Sequence, residues 1–508
     1  MPEWSLPFTL QPVHAPINSD ERRIGILLTA VTFVFFAIGM DSGSHYDSDD
    51  ALYAEMARSM WVSGDWVDNR WSGTVLFEKP PLLIWSMALS GGIGGWSEAA
   101  LRLPLTCFAA LAIWSLFGIY GRLGLSSLAS VAGCLLLLTS FYFVMMSRRL
   151  MTDLPLVACS LYSLQMTLSG HWKHAGVGAG LAILAKGVAA GPLIFSIMLV
   201  AFLANGLDWR TALRGVGTAA AVAILVAGPW HLLATLRHGT AFWAAYIGHH
   251  VGDRATRPVV PGISLRDLLV LVLQDAVLVF GACVALIRSA WVRNRTGKIT
   301  RAVWVGGLWS VFAFLPMVIS STRLPHYAFP LIIGLALMAP AAVPSDWWRR
   351  RYASWCIGSL VVVIFAASPG RMALWIDADL APDQKALGEL MARHAKEGDV
   401  TATFNTTTAA LTFYSGGKRV EMFAADPRFL AIQQSILMNQ MVGQVHPIGD
   451  GPITHPEGKH RYVVTRQTDL EDVVSRFQRG NTARAVSVVE ASSLVLVNDA
   501  GLGRLVLP

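Results

Sequence analysis

Long apolar runs alternate with short polar segments over most of the first 370 residues of the chain. An α-helix needs about 20 apolar residues to cross the hydrocarbon core of a bilayer. The pattern therefore predicts about 11 to 13 membrane-spanning helices. The predicted spans are residues 24–40, 102–121, 127–147, 150–168, 174–188, 189–206, 213–236, 266–287, 303–320, 326–343 and 353–369.

One apolar segment and the C-terminal part depart from this pattern. Residues 82–96, LLIWSMALSGGIGGW, form a segment shorter than a typical membrane span and contain several glycines, which favours a helix lying at the membrane interface. After Pro369 the apolar runs become short and alternating, as in an α/β domain. The predicted elements there are strands at 399–404, 418–423, 461–465 and 492–497 and helices at 383–396 and 469–479.

The predicted fold class is thus a polytopic α-helical membrane protein with a C-terminal extracytoplasmic α/β domain. The membrane domain comprises residues 1–370, with a first extramembrane loop at 41–101, and the α/β domain comprises 371–508. Only 14% of the residues are charged and 54% are hydrophobic, whereas soluble domains carry about 25% charged residues. Composition therefore excludes a soluble protein.

Basic loops predict the orientation. Residues 288–301 and 346–352 are rich in arginine, which places them in the cytoplasm by the positive-inside rule. The N-terminus then lies in the cytoplasm, and the first loop and the C-terminal domain lie on the opposite face. The net charge of +7 reflects this topology, so nucleic acid is not an expected partner.

The first loop carries the candidate chemistry. Loops of about 60 residues are uncommon unless they have a function. Leu52, Met56, Met60 and Trp61 recur at helical spacing, which predicts an amphipathic helix on the bilayer surface. Residues 77–81, FEKPP, place a carboxylate beside an ammonium group just before an extended proline turn.

The ordered motifs of this loop are similar to those of a known group of membrane enzymes. The order resembles the first periplasmic loop of the aminoarabinose transferases of lipid A and of the related protein O-mannosyltransferases. The similar segments are DDALYAE at 49–55, GDW at 64–66, FEKPP at 77–81, RLP at 102–104, RRLMTDLP at 148–155, LAKGVAAGPL at 184–193, FWAAYIGHHVGDR at 242–254 and RLPHYAFPL at 323–331. The resemblance covers roughly residues 24–345.

This resemblance implies a GT-C fold and an inverting glycosyltransferase that acts at the periplasmic face of the bacterial inner membrane. The implied donor is a sugar on a polyprenyl phosphate, undecaprenyl phosphate in bacteria, and the implied acceptor is lipid A or another envelope glycolipid. The chain departs from the pattern at Leu52, where the aminoarabinose transferases commonly carry arginine, and at Arg323, where they often carry lysine. These departures leave the identity of the sugar open.

Four residues are candidates for binding the donor phosphate. A phosphate leaving group is stabilised best by fixed cations and hydrogen-bond donors in a site shielded from water. Lys79 is the first candidate. Tyr327 and Arg254 are the next, because the predicted topology returns both to the same membrane face, and Arg323 is the fourth. The alternatives are a membrane-edge anchor for Lys79 and an aromatic-belt residue for Tyr327.

Asp49 and Asp50 are the candidate catalytic carboxylates, together with Lys79. A carboxylate can take the proton of an attacking hydroxyl, whereas a phosphate acceptor needs no base, and Asp49 would then organise the cations. The alternative role for Asp49 is a helix cap. For Arg149 and Asp153, four residues apart, a structural ion pair is expected.

A metal site is suggested by the resemblance alone. Its ligands would be Glu78 and His250, with His249 as the alternative to His250, and its ion would be zinc or a similar divalent cation. Two ligands make an incomplete site, so the sequence does not require a metal.

Two rival functions stay open at this stage. The first is a transferase that acts on protein hydroxyls or on an envelope polysaccharide. The second is a carrier or flippase for lipid-linked sugars, which would be expected to bury ionisable residues at mid-membrane. Most of the charge lies in loops, with Lys186 as the clearest exception, and this favours the enzyme.

Overall fold

A computed structural model divides the chain into two compact units. The first contains Met1–Met40, Glu78–Leu83 and Arg102–Asp377, and the second contains Asp41–Phe77, Ile84–Leu101 and Ala378–Pro508. The residues that the structure describes are 19–45, 49–77, 79–204, 209–253, 256, 263–296, 300–321, 323–349, 353, 355, 358, 359, 362, 381–396, 399–407, 409–417, 420–426, 445–447, 461–480, 487–491, 493–498 and 505–506.

The first unit is helical. Its helices are α1 (Ser19–Ala37), α4 (Glu98–Arg122), α5 (Ser127–Leu138), α6 (Phe141–Arg148), α7 (Asp153–Leu168), α8 (Trp172–Lys186), α9 (Gly191–Ala204), α10 (Trp209–His238), α11 (Thr240–Trp243), α12 (Leu265–Val272), α13 (Ala276–Thr296), α14 (Arg301–Ile319) and α15 (Phe329–Met338). The first loop forms α2 (Asp49–Ser63) and α3 (Leu82–Gly94), whose residues belong mainly to the second unit.

Six helical segments in the described part of the chain are long and apolar enough to cross a membrane, or seven if α5 and α6 form one span. Helix α1 carries four charged residues at its start, and α7 has only 16 residues, so neither meets those limits of charge and length. The predicted span 353–369 lies almost entirely outside the described residues. The prediction of a polytopic helical membrane protein is confirmed.

The predicted span 127–147 is a bent pair of helices. Helices α5 and α6 meet at 64°. The carboxylate of Asp275 accepts hydrogen bonds from Ser140 Oγ at 2.8 Å and from the backbone N–H of Phe141 at 2.6 Å. Because the first N–H groups of a helix lack intrahelical partners, Asp275 stabilises the start of α6 inside the apolar unit.

Two buried arginines close the end of α1. Arg148 donates to the carbonyl oxygens of Phe36 and Gly39, and Arg102 donates to that of Met40 at 2.9 Å. Both arginines are at most 3% exposed. Since the last carbonyls of a helix also lack partners, the arginines of the RLP and RRLMTDLP motifs have a structural role here.

The second unit contains a mixed sheet of seven strands. Its strand order is β5-β4-β3-β6-β8-β7-β9, and β5, β4, β3 and β6 are parallel neighbours. The strands are β3 (Val400–Phe404), β4 (Val420–Ala424), β5 (Val445–Pro447), β6 (Arg461–Arg466), β7 (Ser487–Glu490), β8 (Leu494–Asn498) and β9 (Leu505–Val506), after a small hairpin of β1 (Arg70–Trp71) and β2 (Thr74–Val75). The helices are α16 (Pro382–His394), α17 (Ala409–Tyr414) and α18 (Leu470–Gly480).

Within the second unit, the first loop packs against α17 and the residue before α16. Ala51 of α2 forms a buried cluster with Ala381 and Ala410. The Tyr414 hydroxyl accepts a hydrogen bond from the His45 backbone N–H at 2.7 Å. Arg58 binds Glu55 through two hydrogen bonds, and its guanidinium lies against Gly417, where no side chain would fit.

Helix α2 forms as predicted, but its predicted position on the bilayer surface is wrong. Met56 and Met60 are each 1% exposed, because the apolar face of the helix packs within the protein. Only its last residues leave large apolar side chains exposed, at Trp61 and Val62. Helix α3 has 13 residues, too short to cross a bilayer core of about 30 Å.

Candidate functional site

A break between two apolar helices positions the central charged residue of the first unit. Helix α8 ends at Lys186, and Gly187 adopts φ 60° and ψ −131°. An L-residue with a side chain rarely adopts such a conformation, whereas glycine does so freely. The α-helical backbone is therefore interrupted here by a short 3₁₀ turn at Gly187–Ala190, before α9 begins.

Lys186 forms a buried ion pair with the first residue of α7. Its Nζ lies 2.6 Å from Asp153 Oδ1, and the two side chains are 14% and 2% exposed. The same Nζ lies 5.6 Å from the centre of the Tyr327 ring. Asp153 was expected to pair with Arg149, four residues earlier, but its ion pair is with a lysine of another helix.

These groups line one cavity of about 340 Å³. Lys79, Lys186 and Asp153 contribute charge, and Tyr246 and Tyr327 contribute ring and hydroxyl surface. Asp153 is within electrostatic reach of Lys79 and His326 as well as Lys186. Among the described residues that line the cavity, two lysines accompany one aspartate, so these residues contribute more positive than negative charge, which suits an anionic ligand.

A second cavity, of about 410 Å³, is apolar and is lined by helices α7 to α10. His231 lies on its wall, and Tyr246 lies on the wall of the charged cavity. His231 Nε2 and Tyr246 Oη are 3.1 Å apart. This pair therefore stands between the two cavities.

The predicted site residues fall into four groups, of which Asp49 and Asp50 form the last. Lys79 and Tyr327 line the charged cavity together. Arg323 donates to the carbonyl oxygens of Met317 and Val318 and so caps the end of α14, close to the cavity wall formed by Met317. Arg254 and Glu78 lie outside the described residues, as do the side chains of His249 and His250.

Asp49 and Asp50 occupy the first turn of α2 in the second unit, where carboxylates favour the positive end of the helix dipole. Asp50 is 2% exposed and Asp49 is half-buried. Their catalytic role stays a prediction. Among the described residues, three or more His, Cys, Asp or Glu side chains never gather closely enough to hold a metal ion, and the predicted metal ligands lie outside that part of the chain.

Comparison with known proteins agrees with this architecture. A family model described as dolichyl-phosphate-mannose-protein mannosyltransferase matches residues 78–232. The undecaprenyl phosphate-alpha-4-amino-4-deoxy-L-arabinose arabinosyl transferases of Pseudomonas aeruginosa strain UCBPP-PA14 and Edwardsiella ictaluri are 25% and 26% identical over 335 residues, which are 63% of this chain. The match spans 59% of the length of each relative.

Two solved structures share the fold over nearly the whole chain. ArnT from Cupriavidus metallidurans, in a crystal structure with undecaprenyl phosphate, superposes with a TM-score of 0.68 at 19% identity, covering 93% of this chain and 97% of ArnT. The chain has the GT-C fold of ArnT and is similar in sequence to the aminoarabinose transferases. The mycobacterial arabinofuranosyltransferase AftD matches with a TM-score of 0.57 at 14% identity, over 95% of this chain and 40% of AftD.

The charged cavity contains two residues that the sequence did not assign to the site. Asp153 was expected only in a structural ion pair, and Lys186 was noted only as a charge inside an apolar run. They are 33 residues apart and meet through tertiary packing. The signal available in the sequence was that Asp153 and Lys186 stand at the two ends of an apolar region, with Lys186 directly before the glycine of LAKG.

Proposed function

We propose that this GT-C protein transfers a sugar from a polyprenyl phosphate to a lipid A-like or other envelope acceptor at the periplasmic face of the inner membrane. The observation that carries the proposal is the cavity where Lys79, Lys186 and Tyr327 surround Asp153. Its surplus positive charge suits a phosphate that becomes more negative as the anomeric bond breaks. Relatives named as undecaprenyl phosphate-dependent transferases support the same reaction class.

The neighbouring apolar cavity supports a lipid donor. A polyprenyl phosphate needs a charged space for its headgroup and an apolar space for its chain. The apolar cavity is lined mainly by alanine and isoleucine side chains of α8, α9 and α10. We assign the first isoprene units to it, since their burial follows from the hydrophobic effect.

The decisive experiment compares the lipids that co-purify with two lysine variants. Wild type, Lys79→Ala and Lys173→Ala would be purified in detergent from the same membranes, and the bound lipids identified by mass spectrometry. Lys173 is an exposed lysine on α8 and serves as the matched control. We expect a sugar-bearing polyprenyl phosphate with wild type and Lys173→Ala, and its loss from Lys79→Ala. Retention of that lipid by Lys79→Ala would contradict the proposal.

The rival acceptor class is a protein hydroxyl, as the mannosyltransferase family model suggests. A hydroxyl needs a base, whereas a phosphate acceptor does not. Asp49→Asn should therefore abolish transfer to a hydroxyl acceptor and leave donor binding unchanged. With a phosphate acceptor, the same variant should keep part of its activity.

The chain is a multi-pass membrane protein, and we propose that its N-terminus is cytoplasmic and its C-terminal domain periplasmic. Arginine-rich residues at 288–301 and 346–352 support this orientation. Alkaline phosphatase, which is active only after export, would report it when fused after residue 508 or at the N-terminus. Activity of the N-terminal fusion alone would reverse the assignment.

A further inference from the structure

The hydroxyl of Tyr246 is held in one orientation by the histidine beside it. His231 Nδ1 lies 2.9 Å from the carbonyl oxygen of Ala227, and Nε2 lies 3.1 Å from Tyr246 Oη. A carbonyl oxygen only accepts, so Nδ1 carries the proton, and Nε2 of the neutral ring accepts from the Tyr246 O–H. Both groups belong to one aromatic cluster with Trp230, Phe242 and Trp243.

This fixed hydroxyl rests against the helix break. A Cβ built on Gly187 would stand 2.2 Å from Tyr246 Oη, so the hydroxyl lies directly against the backbone of that glycine. Gly187 follows Lys186, whose Nζ reaches Asp153 in the charged cavity. Tyr246 itself is 5% exposed and lies in a π-helical segment, Ala244–Asp253, a rare conformation that occurs often at functional sites.

We propose that Tyr246 is a positioning residue for the donor-phosphate site. Its hydroxyl, oriented by His231, holds the backbone at Gly187 so that Lys186 points into the cavity instead of into the apolar space between the helices. Tyr246 thus acts on the ligand through Lys186. This inference rests on the proposed function, because it takes the cavity to bind a phosphate.

A double-mutant cycle tests the coupling. The affinity of the purified protein for undecaprenyl phosphate would be measured by tryptophan fluorescence in detergent for wild type, Tyr246→Phe, Lys186→Met and the double variant. Phenylalanine keeps the ring and removes only the hydroxyl. We expect Tyr246→Phe to weaken binding about fivefold, in line with the loss of one hydrogen bond, and to add nothing in the Lys186→Met background.

The control is Tyr120→Phe. Tyr120 is also buried, and its hydroxyl donates to the Ala336 carbonyl at 2.6 Å, but it does not line the charged cavity. It should lower thermal stability as Tyr246→Phe does and leave the affinity unchanged. Additive effects of Tyr246→Phe and Lys186→Met, or unchanged affinity in Tyr246→Phe, would overturn the inference.

Failure of the proposed function has a different signature. If Lys79→Ala binds undecaprenyl phosphate as tightly as wild type, the cavity is not a phosphate site and the proposed function fails. If Lys79→Ala loses binding while the cycle is additive, the phosphate site stands and only the role of Tyr246 is wrong.

Discussion

Lys186 lies inside a helical unit, and its Nζ is 2.6 Å from Asp153 Oδ1. Removing one member of a buried ion pair leaves an uncompensated charge, which costs about 3–5 kcal/mol. Asp153 stands at the start of α7 and Lys186 at the end of α8. The pair therefore serves the site and also constrains how α7 and α8 pack.

We predict that Lys186→Met lowers the free energy of unfolding by about 3 kcal/mol, because it strands the buried Asp153 carboxylate. Unfolding in detergent would be followed by circular dichroism. The control is Glu389→Gln, which breaks an exposed pair with Arg393 and should change stability by a few tenths of a kcal/mol. Equal losses in the free energy of unfolding for the two substitutions would show that the buried Asp153 carboxylate does not need Lys186 for its stabilisation.

Gly187→Ala should disrupt the charged cavity. The new Cβ would meet the Tyr246 hydroxyl, and the backbone at φ 60° would be strained. Strain of this kind costs about 1–3 kcal/mol. Gly191→Ala is the control, because a Cβ at that position meets open space and the backbone is helical. Thermal midpoints would be compared, and an unchanged midpoint for Gly187→Ala would contradict the described break.

The sequence predicted part of the site at this scale. Lys79 and Tyr327 follow from motifs that stand whole in the sequence, and both line the cavity. Asp153 was expected to pair within its own segment, because a sequence shows spacing along one helix and hides neighbours from other helices. Asp275, inside a predicted span, passed unnoticed although its three donors at the start of α6 make it structural.

Helix α2 contains a buried carboxylate, Glu55, whose pKa is affected in opposite directions by burial and by Arg58. Glu55 is 3% exposed and accepts two hydrogen bonds from Arg58. Burial raises the pKa of the Glu55 carboxyl above its usual 4.5, while Arg58 acts in the opposite direction. Because its folded pKa is raised, Glu55 binds more protons in the folded state, so its contribution to stability falls as the pH rises from 4.5 upward.

We predict that Glu55→Gln removes this pH dependence. Relative to the variant, wild type should lose stability as the pH rises from 4.5, since only wild type must ionise a buried carboxyl. Thermal midpoints of both proteins would be measured across that range, and the difference between them is the quantity of interest. If the thermal midpoint of wild type instead rises relative to that of the variant with increasing pH, Arg58 has a larger effect on the pKa of Glu55 than burial does.

Periodicity predicted α2 as a helix but misplaced its apolar face. An amphipathic pattern identifies a buried face, and a bilayer and a protein core are equally apolar partners for it. Strands at 400–404, 420–424, 461–466 and 494–498 match the predicted ones within two residues, since alternation is a local signal. The short α17 was missed because six residues carry too little periodicity.

At the scale of the whole molecule, the second unit joins residues far apart in sequence. We predict that Ala410→Leu raises hydrogen exchange in residues 49–63 as well as in α17, because Ala410 and Ala51 are fully buried in one cluster. Overpacking of a core typically costs about 1–3 kcal/mol. The control is Ala392→Leu on the exposed face of α16. Faster exchange in α17 alone would show that α2 does not depend on this contact.

The contact between His45 and Tyr414 spans 369 residues, and this separation has a consequence for biosynthesis. The ribosome synthesises the first loop long before residues 381–414. The buried face of α2 therefore lacks these partners until the intervening helices have been inserted. An unpaired apolar face is a target for proteases and chaperones. A chain that ends before Ala381 would therefore leave Ala51 without its buried partners, and synthesis of residues 381–417 would protect the first loop from degradation.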